Sequence, residues 1–182
     1  PSFNYIGVDI KGARLWKGAK YAEERGLKNV AFLRTRIEFI ESLFAPGEIS
    51  EIWITFADPQ IGREKKRLTA PLFMNRYRNF LKTGGIVHLK TDSRYLHEYS
   101  RAMAEQNGLE ILACATDIYG ADRERLYESE LSSICGRAAV DALFEVQTFY
   151  ESQYLAQGFP ITYLSFIADH KGDYTSPQWD ED

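Results

Sequence analysis

Three carboxylates stand at or just after three hydrophobic runs of this chain. Asp9 lies in "YIGVDI", Asp58 follows "EIWITFA", and Asp92 follows "IVHLKT". Apolar, β-branched runs of this length predict buried strands. In parallel sheets, ligands bind beyond the carboxyl ends of the strands. We therefore expect the three carboxylates to lie together in one polar crevice.

Each carboxylate also has an ordinary structural interpretation. Asp9 can accept hydrogen bonds from two ribose hydroxyls of a nucleotide cofactor, or it can close a turn or cap a helix. Asp58 precedes Pro59, which favours an extended backbone and directs the carboxylate outward; a simple turn is the alternative. Asp92 can bind a ligand or cap the helix that follows. Taken singly, none of these residues decides between its alternatives.

A basic cluster follows Asp58 within ten residues, and it consists of Arg63, Lys65, Lys66 and Arg67. Cations beside an acidic pocket suit a nucleic-acid substrate, because the cations can bind its phosphates while the pocket binds one of its bases. The net charge of −4 argues against a basic coat over the whole protein but allows such a local patch. The alternative is a solvated charged surface.

The 182 residues suit one domain, and 45% hydrophobic residues suffice for a full core. We predict strands over 5–10, 30–35, 50–56, 86–92, 109–119 and 161–168. We predict helices over 11–26, 37–44, 70–85, 93–108 and 146–158, with an irregular, partly helical segment over 120–140. This alternation predicts a doubly wound α/β fold with a mostly parallel sheet. The connection before the last strand is short enough for that strand to be antiparallel.

The composition argues against several classes of protein. Cys114 and Cys135 lack the spacing of a metal site, and we expect neither a metal nor a membrane span. Two such thiols fit a reduced, cytoplasmic protein. The acidic tail over 169–182 is expected to be mobile. The oligomeric state stays open between monomer and homodimer.

Four segments together resemble the bacterial tRNA (guanine-N7)-methyltransferase family. They are "YIGVDIKGARLWKGAKYA", "NVAFLRTRIEFI", "ITFADPQ…KKRLTAPLFMNRYRNFLKTGGIVHLKTD" and "TFYESQYLAQGFPITYLSF". The resemblance runs from about residue 4 to residue 168 and implies a methyltransferase domain over 1–168. It implies a Rossmann-like class I methyltransferase fold, α/β, with helices on both faces of the sheet. It also implies S-adenosylmethionine as cofactor, tRNA as partner, and methyl transfer to N7 of a variable-loop guanine.

The resemblance assigns roles to individual residues. It makes Asp9 the acid that holds the cofactor ribose, and Arg36 stands where the family often has an acid near the adenine. Asp58 corresponds to the catalytic residue, close to the methyl donor. The resemblance makes Asp92, Thr148 and Glu151 contacts of the substrate, with Thr148 and Glu151 toward the guanine or its nucleoside. From the charge of the basic cluster itself, we expect Lys65, Lys66 and Arg67 to bind phosphates and Arg63 to contact the substrate.

The chain departs from the family pattern at three places. We expect the first strand and its glycine-rich cofactor loop to lie upstream of this chain, so that the chain as given binds S-adenosylmethionine poorly or not at all. Ala57 replaces a proline before the catalytic aspartate, and Gly62 replaces a lysine. These departures keep a catalytically inactive RNA-binding module as the alternative. A nicotinamide oxidoreductase is a third hypothesis, which leaves the basic cluster without a role.

Overall fold

The structure, a computed structural model, describes residues 3–179, and the predictions for residues 1–2 and 180–182 lie outside the described residues. The chain divides into two compact units, with the boundary between Ala45 and Pro46. The predicted division into a domain over 1–168 and a tail over 169–182 stays a prediction.

The first unit is a pair of parallel strands connected by a helix. β1 (Tyr5–Asp9) pairs with β2 (Val30–Arg34), with Tyr5 opposite Val30 and Asp9 opposite Arg34. Between the strands runs α1 (Gly12–Glu24), and Gly26 follows it in the left-handed region at φ 62°. Glycine adopts this conformation without strain and commonly ends helices, which explains the predicted boundary. The short helix predicted over 37–44 is a 3₁₀ helix (Ile37–Ser42).

The second unit holds four strands and six α-helices among its described residues. The strands are β3 (Ile49–Thr55), β4 (Leu81–Thr91), β5 (Ile111–Ala115) and β6 (Thr162–Ile167). The helices are α2 (Pro71–Tyr77), α3 (Arg94–Gln106), α4 (Arg123–Tyr127), α5 (Glu130–Cys135), α6 (Arg137–Glu145) and α7 (Phe149–Ala156). The segment 120–140, expected to be irregular and partly helical, thus consists largely of short helices.

The four strands form one sheet in the order β3-β4-β6-β5. β3 and β4 are parallel, and β6 is antiparallel to both of its neighbours, β4 and β5. Three strands therefore share one direction and the last runs against them, which is the antiparallel direction that the sequence left open for it. Tyr163, Leu164 and Phe166 of β6 have no exposed surface, which is typical of a central strand covered on both faces.

The chain segment 70–85 differs from the prediction of one helix. α2 ends at Tyr77, and β4 already begins at Leu81. The pairing of β3 with β4 shifts register between Ile49 and Glu51, because extra residues of β4 bulge out there. Gly84 has φ 73° within this bulge. Burial of Phe80 and Leu81 against the sheet explains why the strand prevails over the local helical pattern.

Residues 169–179 lie against the second unit, so the prediction of a mobile tail is wrong for these residues. Both carboxylate oxygens of Asp169 accept from the backbone N–H of Gly84 at 3.0 Å. The side-chain amide of Asn107 donates to the Thr175 carbonyl at 2.9 Å and accepts from the Thr175 N–H at 2.8 Å. Tyr174 is only 4% exposed. These contacts bind the tail to α3 and to the start of β4.

Tyr174 provides a test of this packing. Its side chain is buried and its hydroxyl donates to the Ala168 carbonyl at 2.6 Å. We expect Tyr174→Ala to lower the free energy of unfolding by about 3 kcal/mol, as measured by urea denaturation. Tyr174→Phe, the matched control, loses only the hydrogen bond and about 1 kcal/mol. A mobile tail would leave both variants as stable as the parent.

Candidate functional site

The turn that carries Asp58 has an unusual backbone conformation. Phe56 and Gln60, on either side of Asp58, have φ of 49° and 51°. Residues other than glycine rarely adopt the left-handed region, because Cβ then crowds the backbone. Oδ1 of Asp58 accepts from the Gln60 N–H at 2.9 Å, so the carboxylate itself closes the turn. Strained turns persist where their surroundings hold them, and they are frequent at functional sites.

A buried guanidinium holds this turn in place. Arg67 has no exposed surface; its Nε donates to the Pro59 carbonyl at 2.9 Å and its Nη2 to the Gln60 carbonyl at 3.2 Å. Nη2 also donates to the Tyr95 hydroxyl at 2.7 Å, and the guanidinium carbon lies 4.0 Å from the centre of the Tyr99 ring. The prediction of a phosphate contact is corrected here, because a fully buried arginine has no surface to offer a substrate.

The other three cations of the basic cluster are exposed. Arg63 directly precedes a short 3₁₀ turn (Glu64–Lys66), and Lys65 and Lys66 lie within it. Glu64 is the exception within the turn, since it accepts from the Tyr99 hydroxyl at 2.5 Å. The outer side of the loop is therefore positively charged, while its inner side is fixed to α3.

Asp92 lies at the same sheet edge as the Asp58 turn. It directly follows β4, which is parallel to β3, and the Phe56 N–H continues the ladder by donating to the Lys90 carbonyl at 2.9 Å. The capping alternative for Asp92 is wrong, because the Ser93 hydroxyl caps α3 by accepting from the Leu96 N–H at 3.2 Å. Asp92 is half-buried, and within residues 3–179 its carboxylate has no hydrogen-bond or ion-pair partner.

A buried ion pair lies two residues before Asp92. Nζ of Lys90 is 2.6 Å from Oε1 of Glu151, and Lys90 is 4% exposed while Glu151 has no exposed surface. The same oxygen accepts from the Tyr119 hydroxyl at 2.7 Å. Burial lowers the pKa of Lys90, and the neighbouring carboxylate opposes that shift. Burial, and next the Glu151 carboxylate, raise the pKa of Tyr119, so the phenol stays protonated as a donor.

Thr148 and Glu151 form a capping box at the start of α7. The Thr148 hydroxyl accepts from the Glu151 N–H at 3.1 Å, and Oε2 of Glu151 accepts from the Thr148 N–H at 3.1 Å. Thr148 is partly exposed, but Glu151 is completely covered. The Thr-x-x-Glu pattern therefore has a structural explanation, and the prediction that Glu151 contacts a guanine is corrected for this conformation.

The first unit contains the two residues predicted to bind the cofactor. At the end of β1, Oδ1 of Asp9 accepts from the Lys11 N–H at 2.8 Å, while Oδ2 lies 3.5 Å from Nη1 of Arg14. Asp9 thus closes a turn, and its carboxylate retains lone pairs that can accept from ribose hydroxyls. The exposed Arg36 lies 3.2 Å from Oε1 of Glu38 and offers only donors. Asp9 therefore fits a cofactor ribose. Arg36 does not provide the acceptor that the family often has near the adenine, so other groups must make that contact.

The structure places Asp58 and Asp92 at one edge of the second unit, and Asp9 and Arg36 in the first. The convergence of Asp9 with the other two carboxylates stays a prediction. Within residues 3–179 no group of three or more His, Cys, Asp or Glu side chains is arranged to hold a metal ion. None of the helices in that range is long and apolar enough to cross a bilayer.

Sequence reasoning missed Lys90 and Tyr119 as parts of this site. One signal was present: a lysine within the apolar strand "IVHLKT" requires a buried partner, because an unpaired charge is costly to bury. The identity of the partner has no local signal, since Glu151 lies sixty-one positions further along the chain.

Comparison with known proteins gives consistent results. The family described as "Putative methyltransferase" matches residues 1–128. A tRNA (guanine-N(7)-)-methyltransferase of Christiangramia forsetii is 51% identical over 168 residues, which cover 91% of this chain and 68% of the relative. That of Bacteroides fragilis is 45% identical over 177 residues, which cover 97% of this chain.

Solved structures share the fold at low sequence identity. A SAM dependent methyltransferase from Aquifex aeolicus has a TM-score of 0.54 at 8% identity, over 91% of this chain and 69% of that chain. A geranyl diphosphate methyltransferase in complex with SAM has a TM-score of 0.51 at 16% identity, over 92% of this chain and 69% of that chain. The predicted Rossmann-like methyltransferase fold is thereby confirmed.

The chain spans 64% of the length of the Bacteroides fragilis relative and 64% of that of the Bacteroides thetaiotaomicron relative. The match to residues 1–128 nevertheless covers more than half of the 182 residues, and the Christiangramia forsetii relative is matched over two thirds of its length. On these grounds the chain belongs to the tRNA (guanine-N7)-methyltransferase family.

Proposed function

We propose that the intact protein transfers a methyl group from S-adenosylmethionine to N7 of a guanine in the variable loop of tRNA. The observation that carries this proposal is the pair of carboxylates at the β3–β4 edge. Asp58 is held in a strained turn by Arg67, and Asp92 follows the neighbouring parallel strand at the same edge, without a partner among residues 3–179. The names of the curated relatives support the choice of substrate.

The reaction requires placement of the base rather than removal of a proton. Guanine N7 carries a lone pair and no hydrogen, so no general base is needed before it attacks. S-adenosylmethionine, when bound, supplies the sulfonium methyl group. Asp58 accepts hydrogen bonds from the N1–H and amino edge of the guanine and favours the positive charge that develops on the ring. Correct alignment of two reactants lowers such barriers by about 7–11 kcal/mol.

The remaining roles follow from chemistry and exposure. Asp92 accepts a second hydrogen bond from the nucleoside, and Thr148 contacts it from α7. Asp9 accepts from the cofactor ribose, Arg36 lies near the adenine, and Asp58 also borders the methyl donor. Taking the guanine out of its stack costs a few kcal/mol. Phosphate contacts from Arg63, Lys65 and Lys66, which are exposed, offset that cost.

An RNA-binding module without catalysis is the less favoured alternative. Ala57 and Gly62 motivated it, but the relatives of 43–51% identity are named as methyltransferases. Saturable binding of S-adenosylhomocysteine by the intact protein, measured by calorimetry, distinguishes the enzyme from the module. We further propose that the protein acts in the cytoplasm, where its tRNA substrate is found.

Asp58→Asn tests the carboxylate directly. Asparagine can keep the hydrogen bond to the Gln60 N–H, so the turn is preserved while the charge is lost. We expect kcat for methylation of unmodified tRNA to fall by about 100-fold or more, with unchanged thermal stability. Asp173→Asn, at an exposed aspartate of the tail, is the control and should retain full activity. Normal turnover by the Asp58 variant would contradict its catalytic role.

Lys65→Ala/Lys66→Ala tests the phosphate contacts. If both lysines neutralise phosphates, the slope of log Kd for tRNA against log salt should decrease by roughly 1.4 to 1.8. Fluorescence titrations at several KCl concentrations measure this slope. Lys82→Ala removes an equally exposed lysine near the start of β4, at the opposite end of the strand, and should leave the slope unchanged. Equal slopes for all three proteins would remove these lysines from the interface.

Arg67→Lys separates positioning from phosphate binding. Lysine keeps the charge but cannot donate from a planar fork to both the Pro59 and Gln60 carbonyls. We expect kcat to fall by about 10- to 100-fold through displacement of the Asp58 turn. The Kd for tRNA and its salt slope should not change. The reverse pattern, with a changed slope and normal kcat, would show that Arg67 binds phosphate after all.

A further inference from the structure

Both carboxylate oxygens of Glu151 have partners inside the protein. Oε1 lies 2.6 Å from Nζ of Lys90 and accepts from the Tyr119 hydroxyl, while Oε2 accepts from the Thr148 N–H. Glu151 has no exposed surface and Lys90 only 4%. A guanine that approached from solvent would meet neither oxygen.

The ammonium group of Lys90 also has acceptors other than Glu151. Nζ donates to the Leu143 carbonyl at 2.6 Å and is 3.3 Å from the Val146 carbonyl, at the end of α6. Cations are favourable at this end of a helix, where unpaired carbonyls concentrate negative charge. With Glu151 as the third acceptor, the three ammonium protons are all used. One lysine thus joins β4, the end of α6 and the start of α7.

Release of Glu151 to a substrate would leave Lys90 as a buried cation without a counterion. Removing one partner of a buried ion pair strongly destabilises a protein, whereas replacing both partners by uncharged groups often leaves the stability unchanged. The contact between Glu151 and a base would have to outweigh that loss. The existing arrangement uses the carboxylate in another way, because it fixes the first turn of α7 relative to β4, which Asp92 directly follows.

We propose that Lys90, Tyr119 and Glu151 form a buried positioning triad, and that Glu151 acts on the reaction through the placement of Thr148 and Asp92 without touching the guanine. The inference rests on the proposed function for its activity readout. It assigns Lys90 and Tyr119 to the site and makes Glu151 a positioning residue. The exposed surface of α7 at Thr148 then meets the nucleoside.

The test is a double variant, Lys90→Met with Glu151→Gln. Methionine fills the space of the lysine without charge, and glutamine can still accept from the Thr148 N–H while its amide faces the Tyr119 hydroxyl. Glu151→Gln alone leaves Lys90 unpaired, and we expect kcat to fall by about 10- to 100-fold. The double variant should recover to within about fivefold of the parent, because the buried charge is gone.

A guanine contact predicts the opposite for the double variant. A folded double variant with parental tRNA affinity and a kcat more than about fivefold below that of the parent would overturn the positioning triad. If the single variant does not fold, the double variant decides alone, since it also lacks the carboxylate. Glu145→Gln makes the same chemical change at the exposed end of α6 and should behave as the parent.

Hydrogen exchange separates this inference from the proposed function. Without any ligand, amides in the first turn of α7 should exchange faster in Glu151→Gln and regain protection in the double variant. Unchanged exchange in the single variant would contradict the triad even if the parent is active. A parent that transfers no methyl group to tRNA would instead contradict the proposed function, and the exchange result would stand.

Discussion

The parallel pairing of β3 with β4 is the constraint on which the site depends. Thr55 is opposite Lys90, and the Phe56 N–H extends the ladder past the end of β3. Because both strands run in the same direction, the Asp58 turn and Asp92 emerge at one edge. A shift of this register by one residue would turn every side chain of a strand to the opposite face. The bulge around Gly84 absorbs the mismatch at the far end of the pair.

Two buried cations then hold the loops at that edge. Arg67 binds the backbone after Asp58 from within, and Lys90 binds the end of α6 and the start of α7. Each cation is completely or almost completely covered, and each has aromatic hydroxyls in its network, from Tyr95 or Tyr119. Burial increases the strength of these interactions and also the cost of losing one partner. The loops are thereby held in place before any ligand binds.

The elements of the fold could largely be predicted from the sequence, because apolar runs and the glycines that end helices are local signals. Strands predicted over 50–56 and 161–168 match β3 and β6 within about one residue at each end. The helix predicted over 70–85 is present only over Pro71–Tyr77, since the burial of Leu81 in the sheet depends on distant strands. The prediction of a mobile tail was wrong for the same reason, because Thr175 is held by Asn107, which lies 68 residues earlier in the chain, before β5.

The site shows the same division between local and distant causes. Asp58 and Asp92 could be identified because strand ends can be recognised locally, and exposed Lys65 and Lys66 follow from their dense charge. The roles of Arg67 and Glu151 could not, because each depends on partners far away in the chain. A basic cluster gives no indication that one of its four members is buried. A Thr-x-x-Glu pattern is equally typical of a helix cap and of a binding site.

The most direct test of the account is a structure of the intact protein with tRNA and S-adenosylhomocysteine. We predict that the target guanine lies with its N1 and amino edge within hydrogen-bonding distance of Asp58. We also predict that Glu151 remains paired with Lys90 in that complex. A guanine bound away from the β3–β4 edge, with Asp58 facing solvent, would contradict the central claim.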